Sequence, residues 1–188
     1  MATETLSLEL TARVADRFLQ VSYALANDSH QTIVAYDGAA GVGGGEYPDL
    51  TGKCYVSYAG SGRARILRIR PPAHPTMDTT HTFVPAVSVV DPGEIRHVKF
   101  RLAVPVKERS EFSPEFSGAT YQEQTVNECE LGIGYFWKTQ ATVLKALGHP
   151  NVWQVVKGAS LTETHEISAM TRVTFELLVR ADSEFIRF

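Results

Sequence analysis

Apolar and polar residues alternate with a period of two along most of this 188-residue chain, and this alternation limits the fold more than any other feature. Near the N-terminus Leu6, Leu8 and Leu10 alternate with Ser7 and Glu9. Successive side chains of a strand point to opposite faces, so the alternation predicts strands with one buried face. By the same pattern or by β-branched composition, we expect further strands in residues 19–25, 32–36, 53–58, 63–70, 83–90, 98–104, 127–135 and 173–179.

Turn sequences separate these strands, and the clearest are Asn27-Asp28-Ser29-His30 and Asp91-Pro92-Gly93-Glu94. About nine antiparallel strands with frequent turns are typical of an immunoglobulin-like β-sandwich. Hydrophobic residues make up 44% of the sequence, which is enough for one closed core in a chain of this length. We therefore predict an all-β fold, an immunoglobulin-like β-sandwich, in a single domain that covers residues 1–188.

At most one short helix is expected, at residues 138–147. Val143, Leu144 and Leu147 have the spacing of one helical face, and Gly148 follows in the position of a C-terminal cap. The other apolar patterns of the chain have the period of a strand, so we expect very little helix.

The net charge of the chain is small, −3, but the charge is unevenly distributed. Residues 1–52 carry 2 basic and 7 acidic side chains, residues 53–109 carry 10 and 4, and residues 110–188 carry 6 and 10. An acidic balance is not typical of nucleic-acid-binding proteins, so no nucleic-acid partner is expected. The four arginines of segment 63–70 suit an edge strand, where charge discourages pairing with other chains.

The first residues lack the basic and apolar regions of a secretory signal, and no apolar run approaches the roughly 20 residues that span a bilayer. We therefore expect a cytoplasmic protein with no membrane partner. Cys54 and Cys129 are then expected to be reduced, buried and structural. Their separation also suits the disulfide of an antibody-type domain, but the tryptophan and tyrosine that accompany that disulfide are not at their usual positions.

The glycine-rich segment 37–52 invites a comparison with phosphate-binding loops. Such a loop has Ser or Thr after its lysine, whereas Cys54 follows Lys53 here. No helix is expected after the segment to direct backbone N–H groups at an anion. We therefore expect a hairpin connection.

Two other groups of side chains suggest chemistry and also have ordinary structural interpretations. His74, Asp78 and His81 could supply three zinc ligands, or they are solvated loop residues. Glu128 and Glu130 share one strand face, either as an acid–base pair or as an exposed acidic stripe. The structural interpretation is preferred in both cases, so we expect no metal, no catalytic residue and no cofactor.

The connection from Lys107 to Gln124 is the best candidate for a binding surface. It is longer than a compact domain usually needs, and such loops tend to be functional. It places Phe112, Phe116 and Tyr121 among polar neighbours, and exposed aromatic side chains are common anchors for partners. The alternative is that Phe112 and Phe116 fold back and cover one end of the core.

The strand and turn Val21-Ser22-Tyr23-Ala24-Leu25-Ala26-Asn27-Asp28-Ser29, followed later by Asp91-Pro92-Gly93-Glu94, resembles bacterial immunoglobulin-like domains. Among cytosolic examples it is similar to the BsuPI-type intracellular proteinase inhibitor domain. The resemblance covers roughly residues 5–105 and consists mostly of turn residues. It implies an immunoglobulin-like fold and an inhibitor-like role, and it assigns no site residues.

We therefore predict a non-enzymatic module that binds a protein or peptide partner, with an inhibitor-like role as one version. Two alternatives stay open. The first is an enzyme or small-ligand binder that uses a cleft between loops 37–52, 70–82 and 107–124. The second is a structural subunit that forms homo-oligomers through its edge strands.

Replacing Phe112 or Phe116 by Ala tests the hypothesis that the aromatic loop binds a partner. If these rings serve recognition, each change should alter the free energy of unfolding by only about 0.5 kcal/mol. Partner binding should weaken by about 2 kcal/mol or more. Melting midpoints and recovery of a partner in pull-downs measure the two effects. A loss of ~3–5 kcal/mol of stability in both variants would show instead that the rings cover the core.

Overall fold

The computed structural model describes residues 5–40, 54–68, 84–108, 120–148, 150–158 and 163–181. In these ranges the chain forms twelve β-strands and no α-helix, so the fold is all-β, as the alternation predicts. The strands are β1 (Leu6–Ala15), β2 (Phe18–Asn27), β3 (Ile33–Ala40), β4 (Tyr55–Gly60), β5 (Arg63–Arg68), β6 (Val84–Val90), β7 (Ile95–Ala103), β8 (Val106–Lys107), β9 (Tyr121–Trp137), β10 (Val143–Ala146), β11 (Trp153–Lys157) and β12 (His165–Arg180).

The strands β1, β2 and β7 form a three-stranded antiparallel sheet with β2 in the middle. Asp16 and Arg17 make the two-residue turn between β1 and β2, with φ angles of 52° and 64°. Positive φ at both positions matches the twist of a tight hairpin. Phe18 of β2 consequently lies opposite both Ala15 of β1 and Ala103 of β7.

The other nine strands form a second sheet, and its longest member is the 17-residue β9. β12 pairs with one edge of β9 over nearly its whole length. The other edge is shared, because β5 pairs with residues 128–133 in parallel and β3 pairs with residues 135–137 in antiparallel. A second parallel pairing joins β8 to β12. The strand order is β10-β11-β6-β3-β9-β12-β8, with β4 on the outer edge of β5.

The two sheets share one hydrophobic core, which is the arrangement of a β-sandwich. Every second residue of β2 points inward and is almost completely buried. Burial of a side chain of this size contributes ~1.5–3 kcal/mol, so the alternation is a main source of stability. The inward residues include Leu19, Val21, Tyr23 and Leu25 of the small sheet and Ile33, Val56, Ile66, Val126, Leu131, Ile133, Phe175 and Leu177 of the large sheet.

A second, smaller cluster lies on the opposite face of the large sheet. Val34 and Tyr36 of β3 point away from the main core, because they alternate with Ile33 and Ala35, which belong to it. The β10–β11 hairpin covers this second face. The cluster consists of Val34, Tyr36, Val87 and Phe136, with Leu144, Trp153 and Val155 of the hairpin packed against it.

The prediction of a helix at residues 138–147 was wrong. This segment contains a turn and then β10, which pairs with β11 in a hairpin. Leu144 is half-buried against the second cluster, while Val143 is exposed on the other side of the strand. A four-residue strand contains too few residues to distinguish a period of two from a period of 3.6. Gly148, at φ 78°, lies in the connection to β11 rather than at the end of a helix.

The expectation that the arginine-rich segment is an edge strand was also wrong. β5 lies between β4 and β9, and its residues Arg63 and Arg65 contact acidic side chains of β9 and β12. The distance from Arg63 Nη2 to Glu128 Oε2 is 3.5 Å, and that from Arg65 Nη2 to Glu166 Oε1 is 2.6 Å. The twelve strands and two parallel pairings likewise differ from the expected nine antiparallel strands, because composition does not specify which strands pair.

Cys54 and Cys129 are free and buried, as predicted. The pKa of the Cys129 thiol is raised to about 12, mainly by burial and in smaller measure by the neighbouring Cys54 and Glu130. The thiolate is the nucleophilic form of cysteine. Cys129 is therefore a neutral packing residue of the core at physiological pH.

Asn27 is completely buried at the end of β2, where the chain leaves the small sheet for the large one. Its side-chain Nδ2 donates hydrogen bonds to the carbonyl oxygens of Gln31, at 2.8 Å, and Val90, at 2.9 Å. Its Oδ1 accepts hydrogen bonds from the backbone N–H of Ser29, at 3.1 Å, and from the Ser29 hydroxyl, at 2.6 Å. One amide therefore fixes the β2–β3 turn and joins it to the end of β6.

The backbone of Asn27 makes a second connection at the same place. Its N–H donates to the carbonyl oxygen of Glu94 at 3.0 Å, and its carbonyl oxygen accepts from the N–H of Gly93 at 2.7 Å. Gly93 and Glu94 belong to the turn in which the chain returns from β6 to β7. Two of the three crossings between the sheets in the described residues thus meet at one residue.

Replacing Asn27 by Ala should lower the free energy of unfolding by roughly 3 kcal/mol, because several buried polar groups lose their partner. Urea denaturation of the whole chain measures the change. The matched control is Asn127→Ala, because Asn127 is exposed on β9 and this change should cost at most about 0.5 kcal/mol. Equal effects of the two substitutions would contradict a structural role for the Asn27 amide.

Candidate functional site

A groove of about 610 Å³ lies where β6 ends, between the β6–β7 turn and the β10–β11 hairpin. We call it the corner groove. It combines one aromatic and two aliphatic residues with five polar or charged ones, and polar groups among apolar ones can fix the orientation of a ligand. Its lining residues are Val89, Asp91, Glu94, Lys138, Thr142, Leu144, Asn151 and Trp153.

Asn151 fixes one wall of the corner groove. Its Nδ2 donates to the carbonyl oxygen of Val89 at 2.8 Å, and its Oδ1 accepts from the N–H of Val89 at 2.9 Å. The side-chain amide thus pairs with Val89 as a backbone amide of a neighbouring strand would. Asn151 has a φ of 51°, a left-handed conformation that asparagine tolerates better than most residues. This geometry places the start of β11 beside β6.

Trp153 forms the aromatic part of the wall. Its indole Nε1 donates to Oδ1 of Asn151 at 3.2 Å, so the ring is held by the same side chain that fixes the hairpin. Trp153 lies opposite Val87 of β6 and packs with Leu144 against the second hydrophobic cluster. Trp153 is half-buried and also lines the groove.

Charged groups line the opposite side of the groove. Asp91 Oδ1 accepts a hydrogen bond from the Thr32 hydroxyl at 2.6 Å, and Glu94 Oε2 accepts one from the Asp91 N–H at 3.0 Å. Both carboxylates therefore stabilise the β6–β7 turn. Lys138, exposed just after β9, is anchored through its backbone N–H to the Thr32 carbonyl oxygen at 2.9 Å. Its ammonium group is a basic side chain available to a ligand.

A second depression, of about 270 Å³, continues the corner groove toward the small sheet. It shares Val89, Glu94 and Asn151 with the corner groove and extends along the first residues of β7. Ile95, which is 58% exposed, and His97 line it there. The two depressions are therefore adjacent, with Trp153 lining the first and β7 lining the second.

Of the predicted binding residues, Tyr121 is the one that falls within the described residues. It begins β9 rather than lying in a loop, and it is half-buried opposite Arg180 of β12. The Lys107 ammonium nitrogen lies 5.8 Å from the centre of its ring. Tyr121 is at the opposite end of the long strand β9 from Lys138, so it does not belong to the corner groove.

The other predicted binding residues and one of the two candidate groups of chemical side chains lie outside the described residues. These are Phe112 and Phe116, the residues His74, Asp78 and His81, and most of the loops 37–52, 70–82 and 107–124. The hypotheses that depend on them stay predictions. In the described ranges there is no group of three His, Cys, Asp or Glu side chains placed to hold a metal ion.

The two carboxylates Glu128 and Glu130 do share a strand face, but arginines of β5 lie beside them. Arg63 pairs with Glu128, and Arg65 Nε lies 3.9 Å from Glu130 Oε1. The stripe is thus part of an array of ion pairs across β5, β9 and β12. Its geometry fits the structural interpretation better than a catalytic pair.

Sequence reasoning missed Asn151 and Trp153. The available signal was an asparagine directly after the turn residues Gly148 and Pro150, followed by a tryptophan. Such an asparagine adopts left-handed conformations and bonds to nearby backbone, as it does here. The incorrect helix assignment at residues 138–147 concealed this signal, because Gly148 and Pro150 were then interpreted as the end of a helix rather than as the turn of a hairpin.

No family model, no curated protein and no solved structure matches this chain. In the part of the chain that the structure describes, no helix is long and apolar enough to span a bilayer.

Replacing Asn151 by Ala should lower the free energy of unfolding by ~2–3 kcal/mol, through the lost hydrogen bonds to Val89 and the left-handed backbone. Asn151→Gly removes the same hydrogen bonds but relieves the backbone, so it should cost about 1 kcal/mol less than Ala. Chemical denaturation gives both values, and the NMR signal of the Trp153 indole N–H should shift in both variants. An unchanged indole signal would contradict the described wall.

Proposed function

We propose that this protein is a non-enzymatic binding module, built on an immunoglobulin-like sandwich, that holds an extended segment of a protein partner in the corner groove. An inhibitor-like role and a cytoplasmic location are part of the same proposal. The small antiparallel sheet packed on a larger sheet supports the immunoglobulin-like assignment. The two parallel pairings in the large sheet depart from the expected pattern.

The adjacency of the two depressions, which share Val89, Glu94 and Asn151, is the observation that carries the proposal. A compact small molecule of ordinary size fits within 610 Å³ alone. The continuation past Glu94 and Asn151 to Ile95 suits a ligand that is long and narrow, as an extended peptide is. Trp153 and Ile95 would then take apolar side chains near the two ends, because aromatic and aliphatic residues in such positions are typical anchors.

The polar groups of the corner groove suit recognition better than catalysis. Asp91 and Glu94 are acceptors within their own turn, and Asn151 is fully used in holding Val89 and Trp153. These side chains are held rigidly because they already form hydrogen bonds within the fold. Rigid walls reduce the ordering cost of binding, which favours affinity. Among the described lining residues, Lys138 adds a charge that would orient a ligand without a role in bond breaking.

A display library of random 12-residue peptides, selected on the whole chain, tests the proposal. We expect the selected peptides to lose at least about tenfold in affinity on Trp153→Ala, as for removal of an anchor residue. Lys138→Glu changes the charge of an exposed side chain, so the ranking of the selected peptides by affinity should change according to their own charge. The control Lys145→Glu lies on β10 outside the groove and should leave affinity within about twofold.

Melting midpoints of the variants separate a lost anchor from a lost fold. Peptides that bind the Trp153 and Lys138 variants as well as the unchanged protein would contradict the proposal. Selection of a small metabolite by the groove, with no peptide binding, would favour the small-ligand alternative.

A further inference from the structure

β7 is a free edge of the small sheet within the described residues, because its pairing there is with β2 alone. An edge strand presents unpaired N–H and C=O groups, to which another extended segment can add. Its first residues, Ile95 to His97, line the continuation of the corner groove. The edge therefore begins where the proposed partner segment would emerge.

The hydrogen bonds at both ends of the β2–β7 ladder show which residues of β7 face this edge. Asn27 donates to the carbonyl oxygen of Glu94, and Val104 donates to that of Arg17. In an antiparallel pair, hydrogen-bonded and non-hydrogen-bonded positions alternate. Residues 94 to 104 with even numbers thus bond to β2. His97, Lys99 and Arg101 direct their N–H and C=O groups to the open edge.

The same residues carry the outward-facing side chains of β7. His97, Lys99 and Arg101 are exposed, whereas Phe100 between them is buried in the core. The Arg101 guanidinium carbon lies 4.5 Å from the centre of the Phe18 ring, so this cation is held in place on the sheet. The ion pairs formed by the described residues are on the other sheet. Edge amides and basic side chains therefore coincide at Lys99 and Arg101.

We propose that an acidic, extended segment of a protein partner adds to the β7 edge as an antiparallel strand, with carboxylates opposite Lys99 and Arg101. In a hydrogen-bonded antiparallel pair the facing side chains lie on the same side of the sheet. Acidic residues at every second position of the segment then meet the two cations. This inference rests on the proposed function, since it names the chemistry of the partner segment that leaves the corner groove.

A second copy of the chain fits this edge poorly. An antiparallel pairing of two β7 strands that overlaps most of their length brings Lys99 or Arg101 against a basic residue of the other copy. Like charges opposite each other in a sheet are destabilising. The charge pattern therefore favours an acidic partner over a homodimer formed by this edge, and it gives selectivity as well as attraction.

Nine-residue capped peptides that alternate valine with glutamate, glutamine or lysine provide the test on the whole chain. We expect the glutamate peptide to bind roughly tenfold more tightly than the glutamine peptide, from two cross-strand charge pairs together. The lysine peptide should bind least. In hydrogen-exchange NMR, the amides of His97, Lys99 and Arg101 should exchange quickly in the free protein and slowly with the glutamate peptide bound.

The double variant Lys99→Glu/Arg101→Glu should reverse the preference, so that the lysine peptide binds more tightly than the glutamate peptide. Lys99→Glu alone keeps Arg101 over Phe18 and serves if the double variant does not fold. Lys157→Glu, an exposed position on β11 of the other sheet, is the control and should change the preference by less than about twofold. Reversal in the β7 variants with no change in the control supports the proposal.

Four results would overturn it: equal binding of the three peptides, protection of the His97, Lys99 and Arg101 amides in the free chain, a preference for the glutamate peptide that the double variant retains, or a dimer that pairs through β7. The corner-groove variants distinguish this failure from failure of the proposed function. If the library peptides lose affinity on Trp153→Ala while the glutamate, glutamine and lysine peptides bind equally well, the groove proposal stands and the β7 proposal fails. If the reverse holds, the edge is the binding surface.

Discussion

The buried amide of Asn27 is the interaction on which the arrangement of the two sheets depends. The described chain crosses between the sheets after β2, after β6 and after β7, and the first two of these crossings contact this residue. Its side chain reaches the Val90 carbonyl oxygen of β6, while its backbone pairs with Gly93 and Glu94 of the following turn. A buried polar group without a partner costs about 1–3 kcal/mol. A displacement of one crossing would break hydrogen bonds that Asn27 makes to the other crossing, and this loss opposes the displacement. The inward faces of β2 and β3 therefore meet the same core in a fixed register.

The end of β6 is held from a second direction, and this explains where the corner groove forms. Asn27 bonds to Val90, and Asn151 bonds to both backbone groups of the preceding Val89. β6 thus ends between two asparagine side chains, and that of Asn151 bonds to Val89 as a neighbouring strand would. The β10–β11 hairpin is attached to β6 through Asn151, and the corner groove is the space between this hairpin and the β6–β7 turn. Trp153 lines that space because its indole bonds to the same asparagine.

Sequence patterns predicted the strands well where the alternation is long, and poorly where pairing or short segments decide the structure. The buried and half-buried positions of β2 follow the pattern of Leu19 to Leu25 residue by residue. No local pattern indicates that one edge of β9 is shared by β5 and β3, since that depends on strand length and on contacts distant in sequence. The corner groove was not predictable for the same reason. Its residues come from the β6–β7 turn, from the end of β9 and from the hairpin, and the hairpin was assigned to a helix.

The basic block of the sequence shows how topology gives one charge pattern two different uses. Residues 53–109 carry most of the basic side chains, yet β5 and β7 belong to different sheets. Arg63 and Arg65 of β5 lie next to the acidic strands β9 and β12, so their charge is neutralised within the molecule. Lys99 and Arg101 of β7 lie on a sheet whose middle strand has no acidic residue. Their charge is consequently directed outward, and an edge with outward cations discourages indiscriminate pairing while it still accepts an acidic strand.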